Sequence, residues 1–359
     1  MVHLPWELIE EILSRVPPES LVRFRTVSKQ WNALFDDKMF ITNHKMTFRF
    51  ILATESKVYS VSIDPVIVVH ELPLGTPGLE SLELTNLVDC NELLLCVRKK
   101  GAVVWNPWLG ESTWIRLWSR LSGIKFQGIG YDSKTYKLAA NSPGIKYPTL
   151  DVWKIYEFAS DVWIDHEPEP GDGGSINIQS VVSLNGTLYW VCFHDETDPL
   201  CYHIRKFDFS SGLFIRFCDL PCGRNHDGDA LVLGVFRGDR FSLLKQCKVT
   251  KKIEIWVTEN KIKYEDGDDV VWMNFMNFSS PNLPDLFSKP SYFIEDKRLV
   301  VCSCNDTGRA WIYILGDNKL ISKTRIDCVV DPWPLHCTFI PSLVPVPRGR
   351  RVELAELQV

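Results

Sequence analysis

None of the eleven cysteines in this 359-residue chain forms a C-x-x-C pair, and their number is odd. That spacing excludes a zinc ribbon and a disulfide framework, so the thiols are expected to be reduced and buried in strands, Cys302-Ser303-Cys304 being the tightest group. No apolar run approaches the ~20 residues of a membrane span. The first twenty residues hold four glutamates and three prolines where a signal peptide needs an apolar stretch. A soluble intracellular chain, cytoplasmic or nuclear, is expected. Positive charge is also scarce: the net charge is -5 and the pI about 5.9. The one basic cluster, Arg348, Arg350 and Arg351, is too short for a nucleic-acid face, so neither nucleic acid nor membrane is expected as a partner.

The motifs of catalysis are missing too. There is no G-x-S-x-G elbow and no H-E-x-x-H. Gly171-Asp172-Gly173-Gly174 lacks the Lys-Ser or Lys-Thr of a phosphate loop, and Gly128-x-Gly130 leads to a hairpin rather than a helix; both read as turns. The acidic groups at His194-Asp195-Glu196-Thr197-Asp198 and His226-Asp227-Gly228-Asp229 lack the alternating ligands of a calcium loop. The sequence therefore offers no catalytic residue, cofactor site or metal site.

What is present falls into two parts. Pro5 suits the first turn of a helix in which Leu8, Ile9, Ile12, Leu13 and Val16 recur at helical spacing, with Glu7, Glu10, Glu11 and Arg15 opposite. Pro17-Pro18 ends that helix and opens a second, with Leu21, Val22 and Phe24 apolar and Arg23 and Arg25 in water. A third begins near Val27, where Val27, Trp31 and Leu34 make a stripe. About 40 residues seldom fold alone, and these carry more apolar surface than three short helices can hide, so the surplus is expected to face another protein.

After Lys45 the pattern changes to short apolar or alternating runs broken by Gly, Asn, Asp and Ser. One unit recurs about every 50 residues, at 58–63, 103–107, 150–156, 202–208, 253–257 and 310–314. An all-strand repeat of that length predicts the blade of a propeller, and six copies fit between residues 47 and 346. The run 337–344 is expected to complete the blade begun near Phe48. Asp132 should pin a hairpin through its own backbone, Asn185-Gly186 should form a tight turn with positive φ, and Asn106-Pro107 should end a strand.

Leu4-Pro5, Leu8, Ile12-Leu13, Arg15-Val16-Pro17, Ser20-Leu21, Arg23, Val27, Lys29, Trp31 and Phe40 together resemble an F-box, with Ser28 where many members carry cysteine. Trp105-Asn106-Pro107, Gly128 to Asp132 with Tyr136-Lys137, Leu184 to Trp190, Phe207-Asp208 and Ile255-Trp256-Val257 resemble the plant F-box-associated domain. The fold expected is α+β and multidomain: a three-helix F-box over 1–44, an all-β propeller-like domain over 45–346 with six blades favoured, and a tail over 347–359. The resemblance implies a non-catalytic substrate-recognition subunit of a Skp–cullin–F-box ubiquitin ligase. Leu4, Pro5, Leu8, Ile9, Ile12, Leu13, Leu21, Val27 and Trp31 would build and present the surface for the Skp-type adaptor, and through it cullin and RING subunits. The β domain would hold a protein target. A binding module without ligase function, or an oxidase-type propeller enzyme, is the alternative. Loops at 75–80, 165–178, 194–200, 222–229, 264–270 and 279–290 are candidates for target contact. The acidic bias of Glu167, Glu169, Asp172, Glu265, Asp266, Asp268 and Asp269 favours a basic partner.

Overall fold

The computed structural model describes residues 4–72, 84–90, 92–99, 101–116, 124–132, 135–143, 151–166, 177–193, 201–209, 211–224, 228–263, 267–280, 283–286, 289–295 and 297–348. They form four short helices followed by six four-stranded antiparallel sheets, the blades of a propeller. The chain divides into two compact units, one of residues up to 115 together with 335–346, the other of residues 116–334 together with those from 347.

The helices are α1 (Trp6–Leu13), α2 (Pro18–Phe24), α3 (Lys29–Asp36) and α4 (Lys38–Thr42). The fourth adds to the three expected. It is only five residues long, and Asp37 starts it by accepting the Met39 N–H at 2.7 Å, a cap without a periodic apolar run behind it.

Each of the six repeats read from the sequence is the third strand of one sheet: Val58–Ser62, Gly101–Asn106, Asp151–Glu157, Cys201–Asp208, Ile253–Thr258 and Ala310–Gly316. A third strand has neighbours on both edges, so its backbone is paired on both sides and apolar residues can run on where its faces are covered. All six residues of Gly101–Asn106 are buried, whereas the outermost strand Lys319–Arg325 alternates exposed and half-buried. The first sheet is closed from the far end of the chain, in the order Leu335–Thr338, Phe50–Ala53, Val58–Ser62, Val68–Leu72. Phe50 pairs with Thr338, and Ala53 with Leu335. The paired segment precedes most of the 337–344 run expected to make it.

In the second unit, neighbouring sheets pack face to face through aromatic residues. Trp153 lies 5.1 Å from Phe207 and 5.5 Å from Trp190 between ring centres. Asn185 (φ +51) and Gly186 (φ +80) make the expected hairpin turn, and the Gly186 carbonyl accepts the Tyr131 N–H at 2.6 Å. Asp132 Oδ1 accepts the Thr135 N–H at 3.0 Å, as the sequence suggests. Gly128 and Gly130, read as a turn, instead lie inside the strand Lys125–Tyr131. The reason is proximity: a Cβ on Gly130 would stand 2.0 Å from the Phe209 ring and 2.4 Å from the Gly186 carbonyl oxygen.

Candidate functional site

Pro5 leads into α1 with φ -55 and ψ 146, and its carbonyl accepts the N–H groups of Leu8 and Ile9 at 3.1 and 3.2 Å. Glu11 and Arg15, one turn apart, form a 2.5 Å pair at the surface, and the guanidinium lowers the Glu11 pKa. Ser28 caps α3 by accepting the Trp31 N–H at 3.1 Å, a task for a small hydroxyl. Arg25, expected in water, is half-buried. Its guanidinium clamps the end of α2 onto α3 through Asn32 Oδ1 (3.0 Å), Asp36 Oδ1 (2.7 Å) and the Phe35 carbonyl (3.2 Å).

The apolar residues of this segment separate into two sets. Leu13, Leu21, Leu34, Phe35, Phe40 and Ile41 are buried, with Trp6, Ile9, Val16, Phe24 and Trp31 packed beside them. Leu8 and Ile12, four apart along α1, are 50 and 54% exposed, Leu4, just before the helix, is 48% exposed, and Val27 is 59% exposed. Two further exposed apolar residues, Val22 and Met39, were not among the candidates; exposure on a helix end cannot be told from a stripe that has apolar residues on two sides. Of the nine residues proposed for docking, Leu4, Pro5, Leu8, Ile12 and Val27 thus lie at the surface. Ile9 and Trp31 are half-buried, and Leu13 and Leu21 are interior.

The buried set does not stop at the helices. Within the first unit it forms one cluster with Phe48, Ile51, Trp105, Trp108 and Phe339 of the strand region. His44 is the hinge of this junction. Its Nε2–H donates to the Val16 carbonyl at 3.0 Å, and its Nδ1 accepts the Met46 N–H at 3.2 Å, an assignment that requires the neutral ring. Burial lowers the His44 pKa, and the ring stands edge-on to Phe40 and Trp108. The Trp108 indole N–H donates to the Met46 carbonyl at 3.3 Å. Asn106, fully buried, donates to the carbonyls of Ser342 (3.0 Å) and Val344 (2.8 Å) and accepts from the N–H groups of Trp108 and Leu109. The residue read as a strand end is therefore also the lock that holds the chain beyond residue 338 against the second sheet.

This two-part arrangement has relatives. A model of the F-box domain matches residues 1–43, and a model of the F-box associated beta propeller domain matches residues 49–346. The chain belongs to the F-box proteins that carry this propeller. It is 73% identical to F-box protein At2g14710 of Arabidopsis thaliana over 99% of both chains. It is 61% identical to F-box/kelch-repeat protein At3g16580 of the same plant, over 100% of this chain and 97% of the relative. With the Arabidopsis Protein SUPPRESSOR OF NIM1 1 it shares 43% over 96% of this chain and 98% of the relative.

Chemistry elsewhere in this F-box protein is sparse. Among the described residues no group of His, Cys, Asp and Glu could hold a metal ion, and no helix is long and apolar enough to cross a membrane. The described cysteines are free, and burial pushes the thiols of Cys96 and Cys192 up to about 12, where they are poor nucleophiles. Gly171 to Gly174, His194 to Asp198 and His226-Asp227 lie outside the described residues. So do the candidate loops 75–80 and 194–200, parts of the other four, and Glu167, Glu169, Asp172, Glu265 and Asp266.

Proposed function

We propose that this protein is the substrate-recognition subunit of a Skp–cullin–F-box ubiquitin ligase, divided into an F-box over 1–44, a target-binding β domain over 45–346 and a tail over 347–359. The observation that carries the reading is the open pair Leu8 and Ile12, with Leu4 just before them, on a helix whose other side is anchored in a core shared with the sheets. Half-exposed Leu and Ile side chains gain on the order of 1 kcal/mol each when a partner covers them, and a pair of that kind on a fixed helix suits docking into an apolar groove. Val27 and Pro5 extend the surface, Ile9 and Trp31 support it, and Leu13 and Leu21 hold the helices that present it.

The partner is a Skp-type adaptor, and through it cullin and RING subunits. Catalysis by the complex is a matter of proximity: the chain itself supplies no reacting group, and raises the concentration of a target lysine near a conjugating enzyme held by other subunits. The compartment is the cytoplasm, the nucleus or both. The test is capture of a purified Skp-type adaptor by the intact chain and by the Leu8→Ala, Ile12→Ala double variant. Loss of capture in the variant is expected. Equal capture by the two, or none by the intact chain, overturns the proposal.

A further inference from the structure

Between the outermost strand of the sixth sheet, Lys319–Arg325, and residue 335 the chain makes a loop that belongs to the second unit. Its base is fixed: Ile326 and Val329 are buried, and the Ile326 N–H donates to the Ala310 carbonyl at 3.0 Å. Its tip is in water. Val330 is 67% exposed and Trp333 52%, more than any other tryptophan among the described residues.

Trp333 also has φ +56, a left-handed conformation that a bulky residue keeps only where its surroundings enforce it. The neighbouring turn 305–309 does so. The Trp333 N–H donates to the Gly308 carbonyl at 2.8 Å, and the indole lies so close to Gly308 that a Cβ there would be 2.8 Å from its Cδ1 and Nε1. The Arg309 guanidinium donates to the Val330 carbonyl. Asn305 Oδ1 stiffens the turn by accepting the Arg309 N–H and the Thr307 hydroxyl, both at 2.8 Å. Strain at a residue that stays in water adds nothing to the core, and strain of this kind gathers at binding sites. Tryptophan is also among the residues enriched at the hot spots of interfaces. The turn and the loop each carry a carboxylate, Asp306 two residues before Gly308 and Asp331 two before Trp333; both are exposed and neither has a partner among the described residues.

We propose that Trp333, Val330, Asp306 and Asp331 form a docking point for the target protein, and that it takes an exposed segment pairing a lysine or arginine with an apolar side chain. The cation lies against the indole near the two carboxylates, and the apolar side chain covers Val330. The negative charge of the chain, net -5, favours the same occupant. The proposal rests on the reading that the β domain recruits a protein.

The probe is a positional-scanning library of fluorescein-labelled dodecapeptides, read by anisotropy against the full-length chain without adaptor. Selection of Lys or Arg beside an apolar residue is expected. The selected peptide should bind about tenfold more weakly to Trp333→Ala and several-fold more weakly to Val330→Ser, which leaves the core untouched and serves if Trp333→Ala melts early. Asp306→Asn with Asp331→Asn should abolish the preference for Lys or Arg over Gln. A library that selects nothing, selects acidic residues, or selects peptides that bind Val330→Ser and the double Asn variant unchanged overturns the proposal. A chain that takes the basic peptide but no Skp-type adaptor overturns the ligase reading alone; one that captures adaptor but no basic peptide overturns this docking point alone.

Discussion

In the third strand of the second sheet, Gly101–Asn106, every residue is buried, whereas in α1, where Leu8, Ile9, Ile12 and Leu13 are as apolar, Leu13 alone is. Both elements belong to the first unit and feed the same cluster. The difference is in what each has left over. A strand whose residues are all buried has no surplus; α1 is covered on one side only, and its open side carries Leu8 and Ile12 beside Glu7 and Glu11. Stability accounts for the buried side only. The open pair costs solubility and returns no folding free energy, so its explanation lies outside the chain.

That contrast can be broken by separating stability from adaptor capture. Leu21→Ala removes a side chain with no exposed surface from the helical core and should cost about 2–5 kcal/mol of unfolding free energy, measured by denaturant titration. Leu8→Ala should change stability by no more than about 0.5 kcal/mol. For capture of the adaptor the order reverses: Leu8→Ala with Ile12→Ala should weaken it by about 2 kcal/mol or more, roughly 30-fold, with the melting temperature unmoved. If the two effects track each other across these variants, the two sides of α1 are one structural surface and the comparison fails.

Asn106→Ala probes the junction. It leaves the Ser342 and Val344 carbonyls and the Trp108 and Leu109 N–H groups without their partner, and should cost about 2–4 kcal/mol. Protection of the residue 339–346 amides from hydrogen exchange should fall first. Gly130→Ala is the counterpart in the second unit. Its methyl group has no room beside Phe209 and the Gly186 carbonyl, and a loss of about 1–3 kcal/mol is expected with adaptor capture intact. Loss of capture in Gly130→Ala would mean that the helices depend on far more of the chain than the first unit.

The legible parts of the sequence were those with a local cause. The repeated third strand is visible because it is paired on both edges and apolar residues run on in it, so its composition alone marks it. Asn185-Gly186 is visible because its backbone needs positive φ. Gly128 and Gly130 were misread because the atoms that forbid a side chain, on Leu188 and Phe209, are far along the chain. The α1 periodicity located the helix and not its exposed side, since Leu8 and Ile12 are as apolar as Ile9 and Leu13 and only their packing partners differ. Asn106 read as the end of a strand; its bonds to Ser342 and Val344 join residues more than 200 positions apart, which no spacing rule reaches.

The last expected effect concerns pH, and it is not confined to one region, since burial also lowers the pKa of His166 in the second unit. Burial lowers the pKa of His44, and holds that of His336 down to about 4, both in the first unit. The unfolded chain binds these protons near pH 6.5 and the folded chain only below that, so their contribution is complete above pH 6.5 and is lost as the pH falls toward the folded values. In that window each group should lower stability by at most about 1.4 kcal/mol per pH unit. Protonation of His44 at Nδ1 would turn the acceptor of the Met46 N–H into a second donor, so the loss should begin at the junction of helices and sheets. Hydrogen exchange at pH 7 and pH 5 would report it as faster exchange at Met46 and in α1, with Ile253–Thr258 unchanged. Equal loosening of that strand would place the pH sensitivity elsewhere and leave His44 a packing residue only.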